Sequence, residues 1–190
     1  MNKNNPLFDF SGLPRFNEIQ PGFIDSGLYD LLNDNRNQID ALTADENGVS
    51  WETFITPLED LSDRLDRFWA PVSHLNAVKH SESLREVYDS CLTRLTEYAA
   101  EMGQNEHLYK KFVELKNSPE YDSLNLAQQK FLQNEMRDFR LSGIDLDRPA
   151  RDKFRQISVD LSELGNRLSQ NLLDATDAWI LHITEQKELG

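Results

Sequence analysis

At 190 residues the chain suits one domain, or one wall of a larger one, and can bury a core without disulfide or metal staples. An apolar fraction of 38% against 28% charged residues argues for a folded chain rather than a disordered one. The formal charge of -13 repels phosphate backbones and anionic lipid alike, so neither nucleic acid nor a membrane is an expected partner.

Residues 1–20 read as an extended arm. Pro6, Gly12, Pro14 and Pro21 interrupt any helix there, while Leu7, Phe8, Phe10, Leu13, Phe16 and Ile19 need apolar cover. From Pro21 to Gly190 the pattern predicts an all-α lobe of about six helices. Ile24, Leu28, Leu31, Ile39 and Leu42 share one face of the first, and Asn47-Gly48 turns the chain. Ser50 is a candidate N-cap for the second, which carries Phe54, Leu58, Leu61, Leu65, Phe68 and Leu75. Pro71 lies inside that pattern and predicts a kink, or a division into two helices.

Ser81 caps the next helix, through Leu84, Val87, Cys91, Leu95 and Tyr98 to Gly103. A short helix with Leu108, Phe112 and Leu115 stops before Pro119, and another through Phe131, Leu132, Met136 and Phe139 ends at Gly143. Asp147 and Pro149 open the longest helix. Its stripe of Phe154, Ile157, Leu161, Leu164, Leu168, Leu172 and Ala175 is expected to be buried, with Gly165 allowing a neighbouring helix to come close. The run Ala178-Trp179-Ile180-Leu181-His182-Ile183 is nearly all apolar and reads as a buried strand.

Catalytic patterns are missing. A helix-borne zinc peptidase site needs His-Glu-x-x-His, which sets two imidazoles on one face beside a glutamate base. The four histidines are His74, His80, His107 and His182, and neither His74 nor His80 precedes a glutamate. No phosphate-cradling glycine loop and no Gly-x-Ser-x-Gly elbow occur. The carboxylate pairs Asp60/Asp63 and Glu97/Glu101 read as solvated helix faces. His74 beside Pro71 is either a functional contact or, as preferred here, a kink histidine bonded to a backbone carbonyl. Cys91, the sole cysteine, sits among Val87, Tyr88, Leu92 and Leu95 and reads as core rather than nucleophile. The start, Met1 to Asn5, is not a secretory signal, and no run of about 18 apolar residues exists to span a membrane, so the cytoplasm is the expected compartment.

Several stretches carry a resemblance. They are Leu13-Pro14-Arg15-Phe16-Asn17-Glu18-Ile19-Gln20-Pro21, Pro57-Leu58-Glu59-Asp60-Leu61-Ser62-Asp63-Arg64-Leu65 and Trp69-Ala70-Pro71-Val72-Ser73-His74-Leu75-Asn76-Ala77-Val78. Asp138-Phe139-Arg140-Leu141-Ser142-Gly143, Leu161-Ser162-Glu163-Leu164-Gly165 and Asn171-Leu172-Leu173-Asp174-Ala175-Thr176 follow, then Trp179. In this order and spacing they resemble the N-terminal region of the thimet oligopeptidase-like family of zinc metallopeptidases, over nearly the whole chain.

The resemblance implies a helical lobe that helps wall a channel admitting short peptides and excluding folded proteins. It implies that zinc, held far downstream, belongs to the parent enzyme, and that the catalytic zinc domain is absent here. No catalytic, metal or substrate-binding residue can then be assigned to a position of this chain, which is expected to be inactive alone and to hold no cofactor. The expected partners are the catalytic lobe of the parent and, in the intact enzyme, short peptides. The rival reading is a stand-alone all-α binding or adaptor module.

Overall fold

Four of the six helices begin at a residue whose side chain caps them. The computed structural model describes residues 4–79 and 81–184, and among these residues it is all-α with no strand. The helices are α1 (Pro21–Ala44), α2 (Thr56–Val78), α3 (Glu82–Gly103), α4 (Glu106–Lys116), α5 (Leu126–Leu141) and α6 (Arg148–Asp177). Ser81 and Asp147 do cap α3 and α6, accepting the backbone N–H groups of Leu84 and Ala150. Ser50 accepts from the Thr53 N–H at 3.0 Å, while the Thr53 hydroxyl accepts from the Ser50 N–H. That reciprocal box opens not α2 itself but a π-type turn, Trp51–Ile55, which feeds into it. Gly143, at φ +88°, closes α5. Ile144 N–H bonds the Phe139 carbonyl and Gly143 N–H the Arg140 carbonyl, the paired bonds of a left-handed helix end.

Two apolar clusters hold the body together. One gathers Leu7 of the arm, Ile24, Leu28 and Leu31 of α1, Phe68 and Val72 of α2, and Cys91 of α3. The other joins Ile39, Phe54 and Ile55 to Phe112 and Leu115 of α4 and to Leu132 and Phe139 of α5. Arg36 of α1 bonds both carboxylate oxygens of Glu101 on α3 and lies over the Tyr98 ring, 5.2 Å from its centroid.

The arm is extended only between short 3-10 turns at Pro6–Phe8 and Phe16–Glu18. It is anchored by Asn5, whose Nδ2 donates to the Phe23 carbonyl at 2.7 Å and whose Oδ1 accepts from Leu7 N–H at 3.0 Å. Gly27 lets Asn5 and Phe68 approach α1, since a Cβ there would stand 2.5 Å from Asn5 Nδ2 and 2.8 Å from the Phe68 ring. Cover is not found for every apolar arm residue: Leu13 is 92% exposed.

Three expectations need correction. Pro71 does not divide its helix, because α2 runs unbroken from Thr56 to Val78 with Pro71 buried inside it. The run 178–183 is not a strand; α6 ends at Asp177, and Trp179, Ile180, Leu181 and Ile183 follow as exposed coil. A strand needs a neighbour to take its backbone bonds, and this all-helical body has no sheet edge to give. The α6 stripe is not buried either, and Gly165 has no close neighbour, for a Cβ there would meet nothing within 4 Å.

Candidate functional site

Helix α6 is amphipathic, and it docks the wrong way round for a core helix. Ile157, Leu161, Leu164, Leu168 and Leu172 recur at steps of three and four and form one stripe. Ser158, Ser162, Asn166 and Gln170 recur at steps of four on the opposite side. The polar row is the half-buried one and lies on α3, whereas the five aliphatics are 46–70% exposed.

The α3–α6 seam is therefore rich in hydrogen bonds, with half-buried Val159 and Leu173 among the polar side chains. Asp89 Oδ1 accepts from Asn166 Nδ2 at 2.6 Å and from Gln170 Nε2 at 2.7 Å. Arg85 donates twice to the Asp174 carboxylate, at 3.0 and 2.7 Å. The Thr96 and Ser162 hydroxyls stand 3.0 Å apart. Nearer the start of α6, Arg151 binds Glu106 at 2.7 Å. A composition of Ser, Asn and Gln opposite a leucine row was the sequence signal for this seam. Asp89 and Arg85, its α3 partners, carried none.

Beside the leucine stripe runs a groove of about 620 Å³, between α6 and the facing parts of α2 and α3. Leu161, Gly165, Ser169 and Leu172 line its α6 side together with seam residues such as Asn166 and Gln170, with Ala77, Tyr88 and Leu92 across from them. A second cleft, about 290 Å³, is lined by Leu58, Leu61 and Leu65 of α2, Met102 of α3, and Glu135 and Phe139 of α5. Burial pushes the Glu135 carboxyl above its usual range, reinforced by the nearby charges of Asp138 and Glu59. Glu59 is also raised, by burial and then by Asp66.

Cys91 is fully buried, and desolvation pushes its thiol up to about 11, so it is core. Its neighbour Arg94 pairs with Asp25. Glu101 is taken up by Arg36, and Asp63 faces Arg67 at 3.8 Å on the solvent side, so neither carboxylate pair forms an acid/base dyad. His74 is exposed, and its ring lies 5.3 Å from Phe16 instead of on a carbonyl. His107 and His182 are exposed on separate segments, and His80 lies outside the described residues. Among the described residues no group of three or more His, Cys, Asp and Glu side chains is arranged to hold a metal ion. No described helix is long and apolar enough to cross a membrane.

What the fold defines is a helical domain with its own core and one long helix turned outward. The family model for the neurolysin/thimet oligopeptidase N-terminal domain matches residues 28–151, and the chain belongs to that family. Oligopeptidase A of Haemophilus influenzae is 43% identical over 190 residues, which is 100% of this chain and 28% of that protein. Oligopeptidase A of Escherichia coli is 41% identical over 186 residues, 98% of this chain and 27% of that protein. The organellar oligopeptidase A of Arabidopsis thaliana is 30% identical over 188 residues. The chain thus spans little more than a quarter of the length of the two bacterial relatives.

Proposed function

We propose that this chain is the non-catalytic N-terminal lobe of a zinc metallo-oligopeptidase, and that it shapes and restricts the channel by which short peptides reach a catalytic region carried elsewhere in the polypeptide. The outward leucine stripe of α6 carries this reading. A domain that satisfies its own core yet turns five aliphatics of one helix to solvent is suited to sit against a larger body. The kinship with oligopeptidase A supports peptide hydrolysis by the parent, and the reading takes that hydrolysis to occur in the cytoplasm by a zinc-activated water.

The test is to express the complete reading frame that contains these residues, alongside the 190-residue chain. Both are offered a quenched fluorescent peptide of about ten residues and, separately, a folded protein, with and without a chelator. The expected result is cleavage of the peptide alone, by the complete protein alone, abolished by the chelator. Cleavage by the 190-residue chain, or chelator-resistant cleavage by the complete protein, overturns the proposal.

A further inference from the structure

We infer that the outward face of α6, from Ile157 through Leu172 and on along Trp179–Ile183, receives a helix from the part of the polypeptide outside this chain, and that this helix crosses α6 at Gly165. The inference rests on reading the chain as one lobe of a longer oligopeptidase.

Three observations converge on it. The first is orientation: the α3–α6 seam uses up the polar side of α6, leaving its leucines bare. The second is Gly165. Glycine is among the least favourable residues inside a helix, and here no neighbour among the described residues accounts for it. With Ser169 one turn further on, it forms a low point between Leu161 and Leu172 in the α6 wall of the groove. A helix can approach closest where no Cβ projects. The third is the shape to be filled. The 620 Å³ groove continues the stripe sideways onto Tyr88 and Leu92, so an occupant must touch α6 and α3 together.

The length missing relative to the family identifies the occupant. The match takes up 28% and 27% of the two bacterial relatives, leaving nearly three-quarters of each outside it. A segment tethered in the same polypeptide meets the face at high effective concentration. A second copy of this chain instead carries its own net charge of -13, so two copies repel each other.

The experiment places Leu168→Asp and Gly165→Leu separately into the complete polypeptide and into the 190-residue chain. In the short chain both positions face solvent, so melting temperatures should stay within about 2 °C of the parent's. In the complete polypeptide each variant should lower the melting temperature by about 5 °C or more and admit protease just beyond Asp177. Complete polypeptides that keep their stability and protease resistance overturn the docking. So does a discrete dimer of the short chain that Leu168→Asp dissociates while the complete protein is unaffected, because a second copy then covers the stripe. Peptide cleavage is read separately. A complete protein destabilised by Leu168→Asp that cleaves no peptide would sink the peptidase reading and leave the docking standing.

Discussion

Replacing Gly27 by alanine sets two effects of known sign against each other. In a helix interior the change gains about 1 kcal/mol of intrinsic helix stability. Here the new methyl would stand 2.5 Å from Asn5 Nδ2 and 2.8 and 2.9 Å from two Phe68 ring carbons. Phe68 is fully buried and braced by Phe8, whose ring centroid is 5.2 Å away, so it cannot swing clear. The arm must give way instead. Overpacking costs about 1–3 kcal/mol. Losing the buried bond from Asn5 to the Phe23 carbonyl adds about 1 kcal/mol. The net expectation is a loss of about 1–3 kcal/mol once the helix gain is subtracted. Urea unfolding of the 190-residue chain followed by circular dichroism measures it, and hydrogen exchange at the Leu7 amide reports whether the arm has lifted. A variant about 1 kcal/mol more stable than the parent, with Leu7 protection intact, would refute the tight seating of the arm.

Asp89→Ala removes the shared acceptor of Asn166 and Gln170; a loss of about 2 kcal/mol is expected, with faster proteolysis confined to α6, and uniform loosening of α1 to α5 would contradict it. Burial, then Asp138 and Glu59, hold the folded-state pKa of Glu135 above its ordinary 4.5. The native state therefore binds that proton more tightly than the unfolded chain. Its contribution to stability is full below 4.5 and is lost as pH rises through the raised value. Glu135→Gln should accordingly match the parent's melting temperature near pH 3.5 and exceed it at pH 7; an equal gain at both would show that ionisation is not the cause. Cys91, buried and with its thiol at about 11, should resist a thiol reagent at pH 8 in the folded chain and react at once in urea. Rapid labelling without denaturant counts against its burial.

Local grammar was readable in the sequence, and long-range assignment was not. Ser81, Asp147, Pro149 and Gly143 act on backbone groups within a few residues of themselves, so their roles could be read in place. The apolar period of α6 was equally clear. Periodicity reports that a face is apolar, however, and not what lies opposite it, so the stripe was assigned to a core that this chain does not contain. The run 178–183 shows the same limit, since apolar content without a pairing partner does not make a strand. Pro71 predicts a kink or a division into two helices, but α2 continues through it, because the tertiary contacts of the buried ring outweigh the missing hydrogen bond. The candidate site was the least legible part. Asp89 and Arg85 look like ordinary surface charges until α6 is laid across them.

The hydrogen-bonded seam bears on how such a protein is made. A polypeptide of the relatives' length has roughly 490 residues still to be synthesised when this lobe is complete, which takes about 25–100 s at ~5–20 residues per second. Under the proposed docking, the leucines of α6 wait through part of that interval without their cover. Rolling them inward onto α3 would be the quickest way to hide them, and it would trap the helix in the wrong orientation. Asp89 and Arg85 oppose that roll, because turning α6 over would bury leucines against a carboxylate and a guanidinium stripped of their partners. On this view the polar seam acts as an assembly jig on the ribosome, keeping the sticky side facing out until its partner emerges.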